Sequence, residues 1–301
     1  MIEPAATDAL VGRVLGERYR IVRRIAAGGM GTVYLAQQES LRREVAVKVI
    51  RGGVVDDRYR ARFEAEALAT SRLQHPHVVA VYDFGFDGDL PFIVFEKLEG
   101  SDLATALRAH GRMPWRRGVH VVRGIALALA AAARSGIVHR DLKPANVFLT
   151  STEADPDFVK VLDFGIAKMA DQSTPSALTE EGTVVGSAGY IAPERLLQSE
   201  SDSPASDIYA LGVIAWDVLA GRPPFVDSNA MALAVKHLQE APARLKDVVE
   251  LPLALDELVV RLLAKDPARR PTPREVILAL DAIAAEPDTA ETETAERPAI
   301  A

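Results

Sequence analysis

The chain has 301 residues, of which 49% are hydrophobic, so it can bury a substantial core in two lobes or two small domains. It contains no cysteine, which excludes disulfide bonds and thiolate metal sites. The formal net charge of −7 argues against nonspecific nucleic-acid binding, and the five acidic residues and one arginine of residues 286–301 carry −4 of it.

A glycine-rich hairpin is the first predicted feature after a lead-in, residues 1–18, which lacks clear periodicity. β-branched and aromatic residues predict strands over 19–25 and 32–36. The turn between them contains three glycines, which let backbone N–H groups approach a phosphate without a Cβ in the way. A glycine-rich turn by itself is more often only a turn.

The next predicted elements are a strand over 45–50 and a helix over 57–73. The strand contains Lys48, whose burial costs several kcal/mol unless the ammonium is paired. Further strands are predicted over 78–82 and 91–95, and beyond residue 100 the chain becomes helical. Asp102 can cap a helix to residue 109, and a second helix covers 115–135.

The stretch 139–146, His-Arg-Asp-Leu-Lys-Pro-Ala-Asn, carries a carboxylate, an ammonium and a carboxamide, and a hairpin over 147–162 precedes Asp163. Mg²⁺ prefers oxygen ligands, so Asn146 and Asp163 suit a nucleotide-bound metal, with Mn²⁺ as an alternative ion. Asp141 can then accept a hydrogen bond from a hydroxyl while Lys143 stabilises the transferred phosphoryl group. A lone Asp or Lys would more simply be a surface charge or a loop cap.

Residues 139–146, followed by Asp163-Phe164-Gly165, resemble the catalytic loop and metal-binding triplet of eukaryotic-type protein kinases, in their bacterial branch. The resemblance covers residues 19–284 and implies an α+β, two-lobed protein kinase fold. A small β-rich lobe with one key helix would span 19–95, a hinge 96–100 and a larger, mainly helical lobe 101–284. The acidic tail, 285–301, is expected to be disordered.

The resemblance also assigns an ATP site to the cleft between the lobes. Its residues would be Gly28, Gly29, Gly31, Val33, Ala46, Lys48, Glu96, Leu98, Asn146 and Asp163. Glu66 would pair with Lys48, whereas Glu64 would be a solvated helix residue. Ala26 stands where the family's first glycine is usual, and Phe95 would close the back of the pocket or belong to the core, or do both.

A polar stretch over 165–194 ends in Ala192-Pro193-Glu194, which resembles the family's activation loop and its anchor. Thr179 and Thr183 are candidates for autophosphorylation, with Arg140 pairing the phosphate, although each could equally be an ordinary loop hydroxyl.

The resemblance also implies structural roles for residues that hold the catalytic loop in place and for residues in the core. Asp207 would brace the backbone of the catalytic loop, and Arg270 would form a buried ion pair with Glu194. Thr70 would join His139, Phe164 and Val81 in an internal column that is usually apolar.

The implied function is a serine/threonine protein kinase of bacterial signalling that uses Mg-ATP to phosphorylate protein hydroxyls and is activated by autophosphorylation. The alternatives are a catalytically inactive scaffold and a small-molecule kinase, but the complete catalytic set and the Lys143-Pro144 pair disfavour them. The expected partners are protein substrates, ATP and a second copy for trans-autophosphorylation, without nucleic acid or membrane contact. We expect a cytoplasmic chain, alone or as the cytoplasmic domain of a longer membrane-anchored protein.

Overall fold

The computed structural model describes residues 8–29, 31–51, 55–164, 189–197 and 203–286. The N-terminal part is a six-stranded antiparallel sheet in the order β1-β2-β3-β4-β6-β5, with one helix, α1, packed against β5. The bounds are β1 (Val14–Leu15), β2 (Tyr19–Gly28), β3 (Gly31–Gln38), β4 (Arg43–Ile50), α1 (Asp57–Ser71), β5 (Val81–Asp87) and β6 (Leu90–Glu96). This arrangement is the expected small β-rich lobe with one key helix.

The hairpin of β2 and β3 closes where Gly28 pairs with Gly31. Gly31 has φ 156°. A Cβ at Gly31 would lie 2.3 Å from the carbonyl oxygen of Val49 on β4. Only glycine therefore lets the end of this hairpin approach the neighbouring strand so closely.

The strand predicted over 78–82 is wrong in its bounds, since β5 begins at Val81 and continues to Asp87. The preceding β-branched residues instead pair with the other lobe: Val78 bridges Val161, and the Val79 N–H donates to the Val161 carbonyl at 3.0 Å. A β-branched run indicates extended backbone but not its partner, so the sequence could not separate these two pairings.

The C-terminal part is mainly helical, with a small antiparallel sheet in the order β7-β8-β9. Its elements are β7 (Gly100–Asp102), α2 (Leu103–His110), α3 (Trp115–Arg134), β8 (Val147–Thr150), β9 (Phe158–Val161), α4 (Pro193–Leu196), α5 (Pro204–Ala220), α6 (Ala230–Gln239), α7 (Leu253–Leu262) and α8 (Pro273–Ala284). Asp102 caps α2 as predicted, because its carboxylate accepts the Thr105 N–H at 2.8 Å.

Helix α5 is the centre of the larger lobe, since almost all of its residues are buried between α3 and α7. Close packing is possible because the neighbouring helices meet at glycines: a Cβ at Gly118 would lie 2.8 Å from Leu219, and one at Gly212 would lie 2.8 Å from Leu262. The helix ends at Gly221 in the left-handed conformation, φ 76°. Asp207 on this helix contacts the backbone at His139 and Arg140.

Among the helices of the described residues, none combines the length and the apolar character needed to cross a membrane.

Candidate active site

The carboxylate of Asp141 is held by two neighbouring side chains of the same loop. The Lys143 ammonium donates to its two oxygens at 3.0 and 2.8 Å. The Asn146 amide donates to the Asp141 carboxylate at 3.1 Å and to its backbone carbonyl at 2.8 Å. A 3-10 turn, Pro144–Asn146, folds the loop back on itself and brings Asn146 to Asp141. The three chemical groups of this stretch therefore converge on one point.

The backbone just before Asp141 adopts a conformation that is unfavourable for a residue with a side chain. Arg140 has φ 72°, which costs about 1–3 kcal/mol and persists only where the surroundings enforce it. Asp207, on α5, accepts the N–H groups of His139 and Arg140 at 2.7 and 3.0 Å. The Arg195 side chain donates to the carbonyl oxygen of Arg140. The position of Asp207 matches the bracing role that the resemblance implied.

Lys48 is paired with Asp163, whose carboxylate oxygen lies 2.6 Å from the ammonium. The pairing of Lys48 with Glu66 that the resemblance implied stays a prediction. The Lys48 side chain is only 8% exposed, so its charge needs a carboxylate, and Asp163 supplies one. Glu66 lies partly buried on α1, whereas Glu64 is exposed, as expected for a solvated residue.

The residues after Asp163 connect the catalytic loop to α1. The rings of His139 and Phe164 lie 4.6 Å apart, and Phe164 is buried. The hydroxyl of Thr70, on α1, donates to the backbone carbonyl of Phe164 at 3.2 Å. This hydrogen bond explains how a polar side chain is accommodated at position 70, where the column is usually apolar. Sequence reasoning missed this contact, although a polar residue on the buried face of a helix indicates such a partner.

The residues assigned to ATP lie on adjacent strands around Lys48. Val33 on β3 is opposite Lys48 on β4, and Ala46 on β4 is opposite Phe95 on β6. Phe95 is buried in a cluster with Ala46 and Leu98 packed against it, so it belongs to the core and also borders the hinge. Gly28 and Gly29 have no atom within 4 Å of an added Cβ and leave the space beside the hairpin open.

The hinge residue Glu96 makes side-chain contacts that the sequence did not indicate. Its Oε1 accepts the Ala80 N–H at 2.8 Å and the Lys160 ammonium at 2.7 Å. Lys160 lies on β9 of the larger lobe. Glu96 therefore links the two lobes through its side chain, independently of any backbone contact to a nucleotide.

The donor set of this cleft fits a nucleotide-bound metal. Asn146 and Asp163 each offer a side-chain oxygen, the ligand type that Mg²⁺ prefers, and Lys48 offers a cation for phosphate oxygens. Within the described ranges, no group of three or more His, Cys, Asp or Glu side chains could hold a metal ion by itself. A metal bound here would therefore share its ligands with the phosphates of the nucleotide.

Glu194 and Arg270 form the buried ion pair that the resemblance implied. Two guanidinium nitrogens of Arg270 donate to the two carboxylate oxygens of Glu194 at 2.7 and 2.8 Å. The Arg270 side chain is 0% exposed and that of Glu194 is 12% exposed. Ser206 donates to Glu194 at 2.7 Å. Burial raises the pKa of Glu194, but the bonds from Arg270 and Ser206 outweigh burial and lower it. Thr179 and Thr183 lie outside the described residues.

Three comparisons with known proteins agree with this architecture. A protein kinase domain model matches residues 19–279. The chain is 41% identical over 280 residues to serine/threonine-protein kinase pkn3 of Myxococcus xanthus, with 91% of this chain and 51% of that protein covered. It is 40% identical over 266 residues to serine/threonine-protein kinase PknA of Mycobacterium tuberculosis, with 86% and 59% covered.

A solved structure, the kinase domain of M. tuberculosis PknI, matches with a TM-score of 0.71 and 32% identity, covering 92% of this chain and 100% of that domain. The chain spans between half and three fifths of the length of the pkn3 and PknA relatives. The family model and these relatives cover the whole of the cleft described above. The chain therefore belongs to the protein kinase family, among the eukaryotic-type serine/threonine protein kinases of bacteria.

Proposed function

We propose that this chain transfers the γ-phosphoryl group of ATP, with Mg²⁺, to serine and threonine hydroxyls of proteins in bacterial signalling. The observation that carries the proposal is the Asp141 carboxylate, which Lys143 and Asn146 hold in place through donors at 2.8–3.1 Å. An enzyme of this class needs a fixed acceptor for a hydroxyl proton beside a cation, because its catalysis consists mostly of positioning and charge stabilisation.

Asp141 is the residue that orients the substrate hydroxyl and accepts its proton. Lys143 is bonded to the same carboxylate, so it restrains the rotation of Asp141 and adds positive charge where phosphoryl oxygens would lie. Because the two side chains are bonded to each other, a substitution of either would change the position of the other. Loss of Asp141 would affect transfer more than nucleotide binding, because Asp141 acts on the substrate hydroxyl and not on the nucleotide.

Asn146 and Asp163 would hold the metal, and Lys48 would hold the α- and β-phosphates. When bound, Mg-ATP supplies the phosphoryl group, and its metal neutralises charge on the phosphate oxygens. Val33, Ala46 and Leu98 would line the adenine pocket, with backbone groups of the hinge, 96–100, as hydrogen-bonding partners. We propose the same division of the chain into a small lobe, 19–95, and a large lobe, 101–284.

Regulation by autophosphorylation is part of the proposal. Thr179 and Thr183 would accept phosphate from a second copy of the chain, and Arg140 would pair with the phosphate to order the loop. The support is the position of Arg140, whose backbone is held immediately beside Asp141. Protein substrates with Ser or Thr hydroxyls are the other partners that we propose, for a chain or domain located in the cytoplasm.

The test compares the wild-type chain with Asp141→Asn after incubation with Mg-ATP, using intact mass and phosphopeptide mapping. Wild-type protein should gain phosphate on serine or threonine, whereas Asp141→Asn should gain none and still bind a fluorescent ATP analogue. The control is Asp247→Asn, an exposed acid in the Leu245–Asp247 turn, which should behave as wild type. Equal phosphorylation of Asp141→Asn and wild type would reject the role of Asp141.

The same experiment distinguishes an active kinase from a catalytically inactive scaffold. A folded wild-type chain that binds the ATP analogue but phosphorylates neither itself nor a generic protein substrate would contradict kinase activity. Phosphates mapped to Thr179 or Thr183 would support control through the loop, whereas phosphates only elsewhere would contradict that part of the proposal.

A further inference from the structure

The peptide bond between Arg140 and Asp141 accepts a hydrogen bond from a side chain in another segment of the lobe. Arg195, on the short helix α4, donates from its guanidinium to the carbonyl oxygen of Arg140. That carbonyl belongs to the peptide bond that leads directly into Asp141. The contact joins residues 55 positions apart in the sequence.

The opposite side of the same residue is held by α5. The Asp207 carboxylate accepts the N–H groups of His139 and Arg140 at 2.7 and 3.0 Å. Arg140 is in the left-handed region, φ 72°, where a residue with a side chain stays only if its surroundings hold it. Its N–H is thus fixed by Asp207 and its C=O by Arg195.

Helix α4 is itself a firm support for Arg195. Glu194, the preceding residue, is bound by two nitrogens of Arg270 and by the hydroxyl of Ser206. Arg270 also donates to backbone carbonyls at Ala205, Ala264 and Lys265, at 2.8, 2.8 and 3.0 Å. The backbone at 194–195 therefore cannot shift without breaking this network.

Asp141, Arg195, Asp207 and Tyr190 line the same small cleft. Tyr190 belongs to the segment before α4 and donates its hydroxyl to Asp217 at 2.8 Å. Arg195 also contributes positive charge beside the buried carboxylate of Asp207. Arg195 therefore lies where the segment before α4 meets the loop that carries Asp141.

We propose that Arg195 is a positioning residue for Asp141: by holding the Arg140 carbonyl, it fixes the left-handed turn that aims the Asp141 carboxylate. This inference deepens the proposed kinase function and rests on it. Its consequence is a coupling between the Ala192-Pro193-Glu194 anchor and the catalytic loop. A displacement of α4 would be transmitted to Asp141 through the hydrogen bond from Arg195 to the Arg140 carbonyl.

The test uses Arg195→Met, which keeps most of the side-chain length but removes every donor. We expect kcat to fall about 10-fold or more, because small displacements of a catalytic group are costly. The KM for ATP should stay near the wild-type value, since Lys48 and Asp163 are untouched. Hydrogen exchange of the His139 and Arg140 amides should become faster. Arg195→Lys, which retains a cation and a donor, should recover part of kcat.

Two controls make the result specific. Arg222→Ala removes an exposed arginine in the turn after α5 and should leave kcat and amide exchange unchanged. Wild type and Asp141→Asn are assayed in parallel, so that an inactive wild type would show a failure of the kinase function itself. An active wild type with an equally active Arg195→Met, and unchanged exchange at 139–140, would overturn only the positioning role.

A structural role and a positioning role of Arg195 are distinguished by comparing the melting temperature with kcat and amide exchange. If Arg195→Met lowers the melting temperature but leaves kcat and amide exchange at a permissive temperature equal to wild type, Arg195 is merely structural and the inference is wrong. If Arg195→Met does not fold, Arg195→Gln replaces it, because its shorter side chain loses the same contact. A wild-type kcat and wild-type exchange in Arg195→Gln would then overturn the inference.

Discussion

The ammonium of Lys48 on β4 lies 2.6 Å from the carboxylate of Asp163, which follows β9 in the other lobe. The two side chains are 8% and 25% exposed, so the pair is largely removed from water. The contact therefore neutralises a buried cation and at the same time joins the two lobes. It also brings together the two charged side chains that would bind phosphate and metal.

Lys48→Met should abolish most of the phosphoryl transfer. It removes the cation that would stabilise phosphate charge, so kcat should fall about 100-fold or more. Because Asp163 remains partly exposed, water can solvate it, and the melting temperature should fall only modestly. Steady-state kinetics and thermal unfolding measure the two effects. Lys246→Met, at an exposed lysine, is the control, and wild-type activity in Lys48→Met would contradict the assignment.

Thr70→Val should destabilise the chain and reduce its activity. Valine has nearly the same shape but cannot donate to the Phe164 carbonyl, which would be left buried without its present donor at a cost of about 1–3 kcal/mol. Denaturant unfolding measures the cost. Thr70→Ser retains the hydroxyl and is the matched comparison. If valine proves as stable as threonine, the hydrogen bond does not hold α1 against Phe164.

Glu194→Ala and Arg270→Ala should each lower the free energy of unfolding by about 3–5 kcal/mol, because each leaves a buried charge without its partner. The double variant should cost less than the sum, since it removes both charges. A double-mutant cycle in denaturant measures this coupling. Glu250→Ala, at an exposed acid, is the control. Simple additivity of the two single changes would argue against a functioning ion pair.

Lys265 should make the free energy of unfolding rise as the pH increases from about 8 towards 10.5. Burial, followed by the charge of Arg270, lowers the pKa of Lys265 from 10.5 to about 8. Between these values the unfolded chain binds a proton that the folded chain has released, so rising pH favours the folded state.

Unfolding curves for wild type and Lys265→Met across this range isolate the contribution, because other titrations cancel in the difference. Lys265 donates to the His237 carbonyl at 2.7 Å and lies 4.5 Å from the Phe225 ring centre, so methionine can fill the site. Parallel pH profiles for the two proteins would show that Lys265 does not titrate in this window.

Much of the fold could be predicted because local signals and packing agreed. Asp102 caps α2 as predicted. Signals of the same local kind occur where Gly221 ends α5 and where Thr272, the N-cap of α8, forms a capping box with Glu275. These signals act within a few residues and do not depend on the rest of the chain. The bounds of β5 were wrong because extended backbone can pair with either lobe, as Val78 and Val161 do.

The amino-acid sequence by itself determined which chemical groups this protein has, since the order His139 to Asn146 and then Asp163 specifies the carboxylates, the ammonium and the amide. Only the tertiary structure decided their partners: Asp163 for Lys48, Phe164 for Thr70 and Arg140 for Arg195. These contacts join residues 115, 94 and 55 positions apart. Such distances in sequence leave no local pattern, because the partner depends on how the lobes and the buried helix α5 pack together.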